Sequence, residues 1–273
     1  LAYFTKRMFR LSQRFIPAST PTSDQRAFRR AVRELDEIIY NMLADLRMRA
    51  NDEHHLLAQL MRARDENGRG LSDQELRDEA VTMLVSGHET AALTLTFAIY
   101  ELARNPAAAA RLREEVERVA PGRSLRAEDL PQLTWAEAVA KETLRLYPPG
   151  HALTRRVVNQ FELGGYQIPK GALIGVSPYA MQRNPRFYPE PERFEPQRWF
   201  EGAERAPRGC YMPFGDGPRV CVGSHFAMAE VKLVLGTLLR ELTFEIPAEY
   251  RLKLDPGITL RPIGGMPVVV RRR

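Results

Sequence analysis

The sequence predicts a mainly α-helical fold with small β-sheets (α+β). Helical periodicity dominates residues 23–147 and returns over 225–239, whereas strand-like runs are short and confined to residues 150–273. Turn signals such as Gly164-Gly165 and Asn184-Pro185 cut those runs apart. A content of 44% hydrophobic and 27% charged residues over 273 positions suits a globular chain with a sizeable core.

Residues 1–22 mix Tyr3, Phe4, Phe9 and Phe15 with Lys6, Arg7, Arg10 and Arg14 and end in Pro17 and Pro21. They fit a segment at a membrane surface and, equally, a helix docked on other helices. From Ser23 onward, Phe28, Val32, Leu35, Ile39, Leu43 and Leu46 recur at three- and four-residue steps, predicting an amphipathic helix with a core face. A short helix is expected over 53–63. Its adjacent His54 and His55 point apart on a helix, which makes them surface residues and not a metal pair.

Ser72-Asp73-Gln74-Glu75 is a capping box, with Leu71 and Leu76 placed for a hydrophobic staple. It opens a long helix that Asn105-Pro106 ends. Inside lies Ser86-Gly87-His88-Glu89-Thr90, an awkward insert. Glycine there costs about 1 kcal/mol relative to alanine, and Thr90 can bond back to a carbonyl one turn earlier. Function can justify that cost; a kinked helix with an exposed Glu89 is the plainer account.

Pro106 starts another helix, to about Val119. Thr134 and Glu137 predict a capping box for the next, which carries Glu142-Thr143-Leu144-Arg145 and stops at Pro148-Pro149. Glu142 and Arg145, three residues apart, share one helical face and can pair. Strands are expected over 155–158, 161–163, 166–168 and 173–177, with a hairpin at Gly164-Gly165. After a proline-rich meander over 184–196, Trp199 and Phe200 are expected to cover the core. Residues 258–261 and 268–270 suggest a closing hairpin.

The most informative stretch is Phe214-Gly215-Asp216-Gly217-Pro218-Arg219-Val220-Cys221-Val222-Gly223. Gly215, Gly217 and Gly223 let the backbone bend tightly and approach a flat ligand. A helix beginning near His225 adds the positive end of its dipole and Arg219 adds a cation, so a thiolate is favoured at Cys221. Thiolate is the form that binds iron. The bland alternative is a small buried cysteine in a turn, with Arg219 on the surface.

This loop closely resembles the cysteine-ligand loop of the cytochrome P450 superfamily, the haem-thiolate monooxygenases. Three further landmarks follow in that family's order along essentially the whole chain: Gly87, Glu89 and Thr90 in the long helix, Glu142-x-x-Arg145, and Pro191-Glu192-Arg193-Phe194. The resemblance implies a cytochrome P450 fold, N-terminally truncated, as a single partial domain over 1–273. Its helical part would be 1–149, and its hairpins, meander, cysteine loop and final helix 150–273. Helices covering one haem face would be missing ahead of Leu1.

By the same resemblance, the cofactor is heme b (iron protoporphyrin IX), and Cys221 is its axial iron ligand. Phe214 packs near the sulfur, Gly215 and Gly223 shape the loop, and Arg219 and Arg155 meet haem propionates. Arg156, next to Arg155, leaves that last assignment open. Gly87 makes room for dioxygen, Thr90 bonds to the oxygen at iron or its water, and Glu89 feeds a proton relay. Glu142 and Arg145, with Arg193 as third member, lock the meander that presents the loop. Residues 1–22 would gate entry and 150–154 would line the substrate pocket. One atom of dioxygen would enter a small apolar organic substrate, the other leaving as water, with electrons from a ferredoxin or flavodoxin type donor. The competing expectation is a truncated, catalytically incompetent haem-binding fragment.

Other classes fare worse. The net charge of +6 comes from scattered arginines, and no nucleic-acid motif is present. No apolar run reaches membrane-spanning length and no signal-peptide order is seen, although a lost N-terminal anchor stays compatible. Two cysteines make no disulfide framework, which predicts a reducing, cytoplasmic setting. A cysteine-nucleophile hydrolase needs a histidine base, and no motif places one; His225 is expected to be a surface or capping residue.

Overall fold

The computed structural model describes residues 22–48, 55–200 and 206–273, so residues 1–21 and His54 lie outside the described residues. The chain divides into two compact units, residues 1–88 and 89–273, with the division inside a long helix.

In the first unit, α1 (Ser23–Met48) and α2 (Leu56–Arg62) meet the start of α3 (Asp73–Arg104). Ile39, Leu43 and Leu46 of α1 bury against Leu57 and Leu76, as the helical spacing predicts. The capping box forms: Ser72 donates its N–H and Oγ–H to the Glu75 carboxylate at 2.8 and 2.7 Å, and the Glu75 N–H returns to Ser72 Oγ at 3.3 Å. Leu71 packs on the cluster that holds Leu76, completing the staple. His55 is the N-cap of α2, its Nδ1 accepting from the Leu57 N–H at 3.3 Å.

α3 stays helical through Ser86–Thr90 despite the glycine. Hydroxyls bond back to carbonyls one turn earlier, Ser86 to Thr82 at 2.6 Å and Thr94 to Thr90 at 2.9 Å.

In the second unit, α4 (Pro106–Val119), α5 (Thr134–Leu146) and α7 (Ser224–Glu241) pack with the later turns of α3 around Phe97, Leu102, Leu112, Val116, Val139 and Leu235. Gly236 permits the closest approach: a Cβ there would stand 2.6 Å from Leu125 Cδ1 and 3.1 Å from Val116 Cγ2.

The expected Thr134–Glu137 box does not form. Thr134 is already the first helical residue, and the N-cap is Leu133, which has no acceptor side chain. Glu115 of α4 serves instead, accepting from the N–H groups of Trp135 at 2.7 Å and Ala136 at 2.9 Å and from Thr134 Oγ1 at 3.1 Å. A carboxylate at a helix N-terminus satisfies orphan donors and complements the dipole. Glu137 pairs with Lys141 at 2.6 Å and Lys232 at 3.2 Å.

Among the described residues four two-stranded antiparallel sheets follow. β1 (Leu153–Arg156) pairs with β4 (Leu173–Val176), one strand starting two residues earlier than expected. β2 (Phe161–Leu163) and β3 (Tyr166–Ile168) form the expected hairpin, with Gly164 and Gly165 at φ 58° and 84° as such a turn requires. β5 (Leu242–Glu245) directly follows α7. The closing hairpin of 258–261 with 268–270 is not formed. β7 (Leu260–Pro262) turns back on β6 (Leu254–Pro256), and Ile263 N–H extends that ladder to Lys253 O at 2.8 Å. With that ladder taken, β8 (Val269–Arg272) pairs with β5. α6 (Pro178–Met181) is a single turn before the meander. No described helix is long and apolar enough to cross a membrane.

Candidate thiolate site

The cysteine loop is held by its own backbone. Gly215 donates to Met212 O at 3.0 Å, and Cys221 N–H donates to Phe214 O at 2.9 Å, closing a neck between residues 214 and 221. Gly215 and Gly217 take φ of 75° and 71°, which a side chain would strain. Asp216 Oδ1 accepts from Gly217 N–H at 2.7 Å, and Val220 N–H returns to Gly217 O at 3.0 Å, setting the short turn that ends at Arg219.

Cys221 is a free, exposed thiol. It stands three residues before Ser224, the start of α7, where the helix dipole favours negative charge. A Cβ at Gly223 would come within 3.9 Å of the sulfur. Phe214 is half-buried, and Arg219 is exposed. The Cys221 sulfur is therefore exposed ahead of a helix start and not buried in a turn, while Arg219 lies on the surface, as the plainer reading of this loop has it; the buried cysteine is Cys210.

Across from the loop, Leu153 Cδ1 lies 3.9 Å from the Cβ position of Gly215. Alternation along β1 puts Arg155 on the same face as Leu153 and Arg156 on the opposite one. Arg155 Nη1 donates to Thr154 O at 3.0 Å, and Arg156 Nη1 donates to Gly171 O at 3.2 Å.

Behind the loop, Glu142 and Arg145 of α5 form a bidentate pair, both fully buried. Arg145 also donates to the carbonyls of Gln182 at 2.9 Å, Pro191 at 2.7 Å and Arg193 at 3.1 Å. Arg193 does not supply the third charge. Its side chain, 60% exposed, pairs with Glu190 and Glu195, and only its carbonyl reaches Arg145. The second cation on Glu142 is Arg198, Nε to Oε1 at 3.0 Å, joined by Trp199 Nε1 to Oε2 at 3.0 Å. Sequence reasoning missed both. The signal available was the indole of Trp199, since a tryptophan N–H taken into a core must find an acceptor.

Gly87 is exposed in the first unit, while Glu89 and Thr90, half-buried, begin the second. The three lie within one turn of α3.

The donor set points to one kind of metal group. Among the described residues no cluster of three His, Cys, Asp or Glu side chains could hold a bare ion. Cys221 offers a single exposed sulfur beside a backbone turned tightly at Gly215 and Gly217, a donor set that suits a metal group bringing its other ligands with it. The residues fit a haem.

A family model described as Cytochrome P450 matches residues 1–267. The chain belongs to the cytochrome P450 family. It is 38% identical over 248 residues to cyclooctatin synthase of Streptomyces melanosporofaciens, covering 90% of this chain and 52% of that protein. Pentalenene oxygenase of Streptomyces avermitilis is 33% identical over 265 residues, covering 96% of this chain and 57% of the relative. The crystal structure of the cytochrome P450DA heme domain superposes with a TM-score of 0.86 at 30% identity, over 93% of this chain and 57% of that one. The P450 fold is therefore present, and the chain spans about half the length of the relatives it matches.

Proposed function

We propose that this chain, as part of one cytochrome P450 domain, carries the thiolate side of a haem-thiolate monooxygenase. The observation that carries the proposal is the exposed Cys221 at the start of α7, in a loop fixed by its own amide on Phe214 O. Cys221 would be the axial ligand, with Phe214, Gly215 and Gly223 shaping its surroundings and Arg219 and Arg155 paired to propionates. Haem, when bound, supplies the two-electron activation of dioxygen that leaves one oxygen atom in substrate and one in water. A b-type haem is supported because the chain has two cysteines, Cys210 and Cys221, and no Cys-x-x-Cys-His attachment motif.

Gly87 would leave space beside the oxygen site, Thr90 would hold a proton-bearing water there, and Glu89 would resupply the proton. Glu142 and Arg145, with the Arg193 carbonyl, keep the loop in place. The relative named for pentalenene supports a small apolar alkene substrate. The basic balance of +6 suits an acidic ferredoxin or flavodoxin type donor. Two free cysteines are in keeping with a reducing cytoplasm.

The test is the reduced, carbon monoxide-bound spectrum. A far red-shifted Soret band that Cys221→Ser abolishes supports the proposal. A histidine-type band, or no haem uptake, sinks it. A thiolate band without substrate turnover would identify a haem-binding fragment.

A further inference from the structure

We infer that Gln182 is the positioning residue that couples the buried Glu142–Arg145 pair to the Cys221 loop. Gln182 is fully buried, at the end of the single turn α6. Its Nε2 donates to Leu144 O and Arg145 O, each at 3.0 Å. Those carbonyls belong to the last turn of α5, where no intrahelical donor remains. Its Oε1 accepts from Met212 N–H at 2.9 Å, and its main-chain carbonyl takes the Arg145 Nη1 bond at 2.9 Å.

One side chain therefore spans the end of the Glu142–Arg145 helix and the entry to the loop. Met212 O in turn receives Gly215 N–H, and Phe214 O receives Cys221 N–H, so the tether is two backbone links from the sulfur-bearing residue. Neighbouring anchors hold adjacent residues: Tyr188 Oη donates to Cys210 O at 3.3 Å and Tyr211 Oη to Lys141 O at 3.1 Å. Only an amide meets all three demands of Gln182. A carboxylate lacks the donors, and an aliphatic chain leaves two buried carbonyls and the part-buried Met212 N–H without this partner.

The consequence at iron rests on the haem-thiolate proposal, while the tether itself can be measured without haem. The experiment is hydrogen–deuterium exchange by mass spectrometry on unaltered protein, Gln182→Met and Gln182→Glu, followed by the carbon monoxide spectrum after haem loading. In Gln182→Met, exchange across 211–223 should rise about fivefold, the factor expected for losing one part-buried hydrogen bond, with 226–239 unchanged. The haem-loaded variant should show a larger non-thiolate Soret fraction. Gln182→Glu keeps an acceptor for Met212, so loop protection should persist while exchange rises at the end of α5.

Unchanged loop exchange in Gln182→Met, or uniform acceleration across the second unit in both variants, would overturn the inference. Should Gln182→Met not fold, Gln182→Glu decides alone: loss of loop protection with an intact α5 end counts against it. Absence of a thiolate band in the unaltered protein would sink the haem reading and leave the exchange result standing.

Discussion

Arg145 sets its Nε and Nη2 each 2.9 Å from an oxygen of Glu142, and neither side chain has measurable exposure. All five guanidinium N–H groups are used, because Nη1 and Nη2 also reach three main-chain carbonyls. Glu142 accepts three more bonds, from Glu195 N–H, Arg198 Nε and Trp199 Nε1. Two charges out of water are tolerable only with such complete pairing. Removing one partner strands the other.

Glu142→Ala should therefore destabilise the fold by about 3–5 kcal/mol, read from urea unfolding. Arg193→Ala, at a side chain paired only on the surface, should stay within about 0.5 kcal/mol. Arg198→Ala should fall between them. Equal losses at Arg193 and Glu142 would contradict the assignment of the second cation to Arg198.

Glu115 gives a second stability prediction. Its carboxylate caps α5 from α4, replacing the local box that the sequence suggests. Glu115→Ala should cost about 1–3 kcal/mol, since two buried N–H groups lose their acceptor. Thr134→Ala removes one peripheral bond at 3.1 Å and should cost less. A larger loss at Thr134 would restore the local cap.

Two carboxylates should give opposite pH slopes. Burial pushes the Glu101 carboxyl above its ordinary 4.5, outweighing the downward pull of the Tyr147 hydroxyl at 2.7 Å and of Arg104. The folded state then holds that proton more tightly than the unfolded state, so stability falls as pH rises from about 4.5 through the folded value. Glu101→Gln should flatten that fall and be the more stable protein above it. Asp129 runs the other way. The Arg123 fork, at 2.7 and 2.8 Å, and Arg126 N–H hold it at about 2 against an ordinary 3.8. Its contribution is present above 3.8 and is lost as pH falls toward 2. Asp129→Asn should remove that acid limb from unfolding midpoints measured across pH.

What the sequence revealed was local. The Ser72–Glu75 box, the Gly164-Gly165 hairpin and the turn glycines before Cys221 each follow from residues within a few positions of one another. Partners distant along the chain were not legible. Glu115 caps a helix 20 residues later, Arg198 reaches back 56 residues to Glu142, and β8 returns to β5 once β6 and β7 have taken each other. For the helix cap and the hairpin a nearby pattern, Thr134 or the run at 258–261, offered an adequate partner, and packing brought a better-placed one. Arg193, nearly as far from Glu142 along the chain as Arg198, came from the family motif, and it is Arg198 that brings its charge to Glu142.

Arg155 and Arg156 are neighbours that the structure, unlike the sequence, tells apart. Arg155 and Arg156 carry the same charge on the same exposed strand, but the pleat turns them to opposite faces. Leu153, two residues before Arg155, touches the Gly215 position at 3.9 Å, so the face bearing Arg155 is the one toward the cysteine loop. A haem seated on Cys221 should place a propionate within reach of Arg155 and not of Arg156. Losing one charge-assisted bond of about 1.5–3 kcal/mol corresponds to roughly 10- to 150-fold weaker retention. Arg155→Ala should therefore speed haem dissociation by that factor, while Arg156→Ala, which gives up only a bond to Gly171 O, stays near the unaltered rate. Faster haem loss from Arg156→Ala than from Arg155→Ala would mean that the opposite face of β1 meets the cofactor, and Leu153 would then mark the strand's contact with the loop alone.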